Sequence, residues 1–220
     1  DYTPLSAQIA QGLDAATFVF LRPSGTPMEV GASELAGSRI LRSNGGAPSL
    51  GAYLTNDPGS VAVLLQSIFC GYRLVSLPPP PRRPLDLRSY LGSIRRVCSS
   101  HGIEQIVARE DLAALGESVG LPMVSHASLS QGVTTAGDRT FELVQFTSGT
   151  TGPPAAVTMS DQSLGSNVGR ILSVLDPRES DNTVSWLPLS HDMGLVGMVL
   201  ASLAGADAVG GGRIVLMQPE

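Results

Sequence analysis

Lysine is missing altogether. All 14 basic residues of this 220-residue chain are arginine, so no lysine-dependent chemistry can be carried out by this chain alone. Charge of either sign is sparse, at 15% of residues, and the net value of −5 argues against a nucleic-acid surface, because phosphate-backbone binding is driven by clustered positive charge. There are only two cysteines, Cys70 and Cys98, too few for a disulfide scaffold or a zinc site. Their apolar, helix-like surroundings read as two buried free thiols. No Asn-x-Ser/Thr acceptor occurs, and the opening "DYTPLSAQIAQGLDAATF" has neither a basic start nor a long apolar core, which excludes a signal peptide. The most apolar run, Gly194 to Gly210, carries Asp207 and falls short of the ~18 to 20 residues a membrane span needs. It reads as a buried helix. These absences point to a cytoplasmic protein without a membrane span. Neither H-E-x-x-H nor G-x-S-x-G is present and the three histidines are scattered, so no metal ligand set is expected.

What is present suits a protein with a sizeable core: 42% of residues are hydrophobic, enough for one large domain or two small ones. Short β-branched runs alternate with helical patterns. Strands are expected at 17–22, 51–55, 73–78, 104–108, 140–147, 155–160, 182–188 and 213–217. Helices are expected at 60–72, at 86–102 with Leu87, Leu91, Ile94 and Cys98 on one stripe, and at 160–175 with Ser160 as N-cap. Strands separated by helices imply βαβ units, hence an α/β fold with a mainly parallel sheet flanked by helices. Such sheets bind ligands at the carboxyl ends of their strands. "PPPPRRP" (78–84) reads as a stiff turn within the domain. The chain begins at Asp1 and ends in a strand, and reads as a segment cut at both ends.

The segment "QFTSGTTGPPAAV" (145–157) joins two of those strands. Gly149 and Gly152 leave backbone N–H groups uncovered, so that amides can converge on an anion. Thr147, Ser148, Thr150 and Thr151 add hydroxyls, and Pro153 and Pro154 stiffen the exit. This is a cradle for phosphate, although a plain hydroxyl-rich hairpin loop fits the composition as well. The Walker pattern requires a lysine and is excluded; "GTTG" lacks the spacing of a dinucleotide fingerprint. A second segment, "WLPLSHDMGLVG" (186–197), begins as a strand and breaks at Pro188. A helix then opens, with Ser190 as expected N-cap and His191 in the first turn, where the helix dipole disfavours imidazolium. A neutral His191 there can make a hydrogen bond at a pocket mouth, or simply cap the helix. Asp192 is what helix electrostatics prefers in a first turn. His101 and His126 read as structural.

Taken in order, these segments resemble the adenylate-forming superfamily of acyl-CoA synthetases, adenylation domains and fatty-acyl-AMP ligases. "TSGTTGPPAAV" resembles its phosphate-binding signature T-S-G-[ST]-T-G-x-P-K-G-V, and "WLPLSHDMGL" is similar to the form found in fatty-acyl-AMP ligases. "LVSLPPPPRRP" (74–84) and "GASELAG" (31–37) resemble further stretches of that branch. The resemblance implies the N-terminal part of the adenylate-forming ligase fold across residues 1–220, with the C-terminal remainder and lid lying beyond. It implies ATP-dependent activation of a fatty-acid-like carboxylic acid to acyl-AMP, with Thr147, Ser148, Gly149, Thr150, Thr151 and Gly152 holding the ATP phosphates and His191 lining the approach of the acid. Mg²⁺ is implied, its main ligand lying outside this chain. CoA, or the phosphopantetheine of an acyl carrier protein, is the implied acceptor for onward transfer.

Two departures stand out. The family's loop lysine falls on Ala155, which removes a charge-assisted contact ordinarily worth about 1.5–3 kcal/mol. That leaves open a non-adenylating relative, which binds acyl groups or acyl-AMP and performs only thiol transfer or a binding role. The family's adenine and ribose contacts, its magnesium glutamate and its lid lysine are expected after residue 220, so these residues alone are expected to turn over negligibly.

Overall fold

The tetrapeptide "NDPG" sets up the most deeply buried helix. Asp57 is its N-cap, accepting from the Ser60 backbone N–H at 3.0 Å, and Pro58 takes the first-turn position where no backbone donor is needed. The helix, α3 (Pro58–Cys70), is buried over Gly59–Ile68 and stops at Gly71, whose φ of 68° is readily adopted only by a residue without a Cβ. The computed structural model describes residues 3–22, 25–37, 49–81, 87–112, 120, 123–126, 140–147 and 155–218.

The other elements, in chain order, are α1 (Leu5–Gly12), β1 (Ala16–Leu21), β2 (Met28–Gly31), α2 (Ala32–Gly37), β3 (Ser49–Ala52), β4 (Arg73–Ser76), α4 (Leu87–His101), β5 (Ile103–Ala108), β6 (Met123–Ser125), β7 (Glu142–Phe146), β8 (Ala156–Ser160), α5 (Asp161–Leu175), β9 (Thr183–Ser185), α6 (Ala201–Gly205) and β10 (Gly212–Met217). Parallel pairing dominates, as expected, but it is divided between two sheets. One has the order β6-β5-β3-β4-β7-β8 and the other β2-β1-β10-β9. Among the described residues only the edge pairs β7–β8 and β1–β2 run antiparallel. Strands β2 and β6 were not anticipated: β2 buries Val30 alone, and three-residue β6 has no fully buried position, so neither carries a hydrophobic period to read.

One large apolar cluster is shared by both sheets. It takes Phe18, Phe20 and Ile214 from the four-stranded sheet, Leu74 and Leu143 from the six-stranded one, and Leu64, Leu164 and Leu200 from the helical segments. A second cluster, with Val75, Ile94, Cys98, Ile106 and Val144, seats α4. Ile94 and Cys98 are on the buried stripe as anticipated, and Leu91 packs at its edge. Both cysteines are free; Cys98 is buried and Cys70 only half-buried. Burial pushes the Cys98 thiol up to about 11, which makes it a packing group rather than a nucleophile. Arg82, Arg83 and Pro84 of the proline-rich turn lie outside the described residues.

Two polar anchors join separate parts of the molecule. Asn56 donates through Nδ2 to the carbonyls of Leu187, 3.1 Å, and Met217, 2.8 Å, tying the exit of β3 to the exits of β9 and β10. Asp57 is buried against His126, with Nδ1 3.4 Å from Oδ1; it also accepts from Thr55 and Ser60. Burial alone would raise the Asp57 pKa, but His126, Thr55 and Ser60 outweigh it and hold the carboxyl at about 2. The folded value lies below the ordinary 3.8, so the carboxylate stabilises the fold at any pH above that ordinary value and loses its contribution as pH falls toward 2. By linkage this is about 2 kcal/mol. The unfolding free energy from urea melts is therefore expected to fall between pH 4 and 2 by that amount more in the wild type than in Asp57→Asn, which keeps a helix cap; parallel curves would refute it. No helix among the described residues is long and apolar enough to cross a membrane.

Candidate active site

The hairpin of β7 and β8 forms the floor of the site. Gln145 stands opposite Val157, and Leu143 opposite Met159; side chains alternate along a strand, so Leu143, Gln145 and Thr147 share one face with Val157, Met159 and Ala155. Beyond the last paired residues the hairpin is closed by a clasp. The Thr147 N–H donates to the Ala155 carbonyl at 2.9 Å, and the Ala155 N–H returns to Thr147 Oγ1 at 3.0 Å. The clasp spans the glycine-rich segment: Ser148, Gly149, Thr150, Thr151 and Gly152 lie outside the described residues, so of the expected phosphate-binding set the structure places Thr147 alone.

The wall comes from the second signature. After β9 the chain turns at Pro188–His191, where the His191 N–H donates to the Pro188 carbonyl at 3.1 Å and the His191 carbonyl accepts from Leu195 N at 2.9 Å. His191 therefore stands at the mouth of the helix rather than inside its first turn. The cap also differs from expectation: Asp192, not Ser190, supplies the side-chain acceptor, Oδ1 to Met193 N at 2.8 Å. A carboxylate meets the N–H groups and dipole of a helix start better than a neutral hydroxyl does. The helix that follows is π-wound over Met193–Leu200, the Ala201 N–H reaching back five residues to Val196. Gly194 explains the glycine of this signature. A methyl on its Cα would collide with the Pro188 carbonyl oxygen and lie 3.0 Å from that of Leu187, so only glycine lets the helix start press against the turn that presents His191.

Floor and wall meet around one cavity of about 330 Å³, lined by Gln145, Phe146, Thr147, Val157, Met159 and Ser190–Asp192. This is within the range of small-molecule sites. Thr147 and His191, read from two separate signatures and 44 positions apart, share it. Phe146 is braced from behind by the His101 ring, edge-on at 5.9 Å. A second cavity, about 400 Å³, lies among α5, β9, β10 and α6, and neither Thr147 nor His191 lines it. Its larger volume carries no chemistry from either signature, so the smaller cavity is the candidate site. Sequence reasoning missed Gln145, Val157 and Met159; the signal that could have found them is strand alternation counted back from Thr147. Among the described residues no three His, Cys, Asp or Glu side chains stand together as a metal site.

Comparison with known proteins places the chain in a family. Residues 104–219 match the model of the AMP-binding enzyme family. The chain is 43% identical over 70 residues to the long-chain-fatty-acid–AMP ligase FadD32 of Mycobacterium marinum, covering 32% of this chain and 11% of that protein. It is 29% identical over 176 residues to the probable long-chain-fatty-acid–AMP ligase FadD30 of Mycobacterium tuberculosis, covering 73% of this chain and 29% of that protein. Its fold is shared with the fatty acyl-adenylate ligase of L. pneumophila solved with acyl adenylate and pyrophosphate, with a TM-score of 0.76 and 19% identity over 98% of this chain and 40% of that one. The chain thus spans well under half the length of these relatives. The family match covers more than half of the chain and takes in both signatures around the cavity: the chain belongs to the AMP-binding enzyme family.

Proposed function

We propose that this chain carries the phosphate-loop part of a ligase that activates a hydrophobic, fatty-acid-like carboxylic acid to acyl-AMP. The observation that carries the reading is the meeting of Thr147, at the neck of the glycine-rich loop, with His191 around one cavity. In the reaction a carboxylate oxygen attacks the α-phosphorus of ATP, the bond to the α–β bridging oxygen breaks, and pyrophosphate leaves with the electron pair. Thr147 to Gly152 hold the phosphates, because their amides and hydroxyls are the donor types that stabilise the phosphoryl charge gathering in the transition state. His191 orients the acid at the cavity mouth. Mg²⁺, when bound with the nucleotide, would supply charge neutralisation on the polyphosphate. Val157 and Met159 give the cavity the apolar lining that an alkyl acid needs. The acceptor of the acyl group is CoA or a carrier-protein phosphopantetheine.

A second reading rests on Ala155, where the family's loop lysine falls: a relative that binds acyl-AMP and performs only thiol transfer. ATP–pyrophosphate exchange by the full-length protein with dodecanoate separates the two. Exchange is the expected result; consumption of acyl-AMP without exchange would replace the first reading by the second.

A further inference from the structure

The two signature residues that meet at the candidate cavity come from different sheets. Thr147 leaves β7 of the six-stranded sheet, and His191 follows β9 of the four-stranded one. Their relative placement depends on what fixes one sheet edge against the other. The apolar cluster shared by both sheets holds them together, but hydrophobic contact is non-directional and does not set the position of a single turn. A directional contact is present at that edge. Strands β3, β4 and β7 run parallel, so the chain leaves β3 on the same edge as Thr147. Just beyond β3 stands Asn56, only 1% exposed, whose Nδ2 donates to the carbonyls of Leu187 and Met217.

The Leu187 carbonyl belongs to the turn that presents His191. Within that turn the Leu187 N–H donates to Ser185 Oγ at 3.1 Å, and the next carbonyl, that of Pro188, accepts from the His191 N–H. Asn56 in turn sits on a fixed base: the Thr55 N–H donates to Ser60 Oγ at 3.0 Å, and Asp57 caps α3. The β9–β10 ladder ends at Ser185 and Leu216, so the two carbonyls lie past its last paired residues. One uncharged group with two N–H donors is what two converging carbonyls require. A carboxylate of the same shape would set a further oxygen against both. Resting on the acyl-adenylating reading above, we propose that Asn56 is a positioning residue, which clamps the Leu187 and Met217 carbonyls and so holds the Pro188 turn, and His191 with it, at the cavity shared with Thr147.

The test uses the full-length protein with Asn56→Ser, whose single donor cannot serve both carbonyls, and Asn56→Asp as a second variant. In ATP–pyrophosphate exchange with dodecanoate, assayed well below each variant's Tm, Asn56→Ser is expected to lower kcat/KM for the acid about fivefold. Asn56→Asp should lower it at least as much, and the KM for ATP should stay within about twofold in both. Calorimetric affinity for a dodecanoyl sulfamoyl-adenosine should fall in parallel. Some loss of Tm accompanies these changes under any role, so the deciding measurement is a double-mutant cycle with His191→Ala. In that background Asn56→Ser should change exchange and analogue affinity by less than about twofold, because the group it positions is gone. A loss as large without His191 as with it, unchanged exchange and affinity in the single variants, or failure of both variants to fold overturns the inference. A wild type without exchange overturns the adenylation reading instead, and the calorimetric cycle then decides on Asn56 by itself.

Discussion

Ala155→Lys is expected to raise ATP–pyrophosphate exchange by the full-length protein about tenfold or more. A single hydrogen bond from a charged donor contributes about 1.5–3 kcal/mol, and tenfold corresponds to about 1.4 kcal/mol. Geometry supports the placement. Residue 155 is exposed, lies on the hairpin face that carries Val157 and Thr147, and is held by two hydrogen bonds that use only its backbone. A longer side chain can therefore project toward the glycine-rich loop without disturbing the clasp. Should exchange stay flat while the KM for ATP also stays flat, the cation is supplied from elsewhere and the alanine is no defect. If the wild type exchanges nothing and the lysine variant does, the present protein is the thiol-transfer relative, and one residue accounts for the difference.

Gly194→Ala should reduce acyl-AMP formation by about a hundredfold. Its methyl would run into the backbone of the Pro188 turn, and backbone cannot rotate aside as a flexible side chain can. The helix start and the turn must separate, at a cost of about 1–3 kcal/mol in stability. His191 moves with the turn, because its N–H bonds to the Pro188 carbonyl, and a displacement near 1 Å can cost about 10²-fold in rate. Denaturant melts and single-turnover assays on the same preparation check both effects. A variant that loses stability but keeps the wild-type rate would show that His191 is not positioned by this contact, and would weaken its assignment to the site.

The elements that could be read from the sequence are those whose signals are local. Ser160 was legible as a cap and does accept from the Ser163 N–H at 3.2 Å; α4 showed its stripe; α3 stood out as an apolar run behind "NDPG". The division into two sheets was not legible. Strand β10 slots between β1 and β9, and a partner almost 200 residues away leaves no trace in either strand's own pattern. The π winding of Met193–Leu200 was hidden for a different reason: the segment is apolar on every face, so no period distinguishes four from five residues of reach. For the site, the residue types around Thr147 and His191 pointed to phosphate and to a pocket mouth, but their convergence came from resemblance to a family. Gln145 escaped notice because one amide in an apolar strand looks like an ordinary solvent-facing position, whereas it is only 5% exposed.

The clasp between Thr147 and Ala155 has a consequence for engineering. It fixes both ends of the intervening seven residues through backbone groups and one hydroxyl, while the paired strands below it carry the packing. Closing a somewhat longer segment between fixed ends adds only a small, logarithmic entropy penalty. That stretch can accordingly be treated as an exchangeable cassette: loops transplanted from nucleotide-binding proteins can be inserted between the two clasp residues and screened for triphosphate binding, with the scaffold retained from one library member to the next.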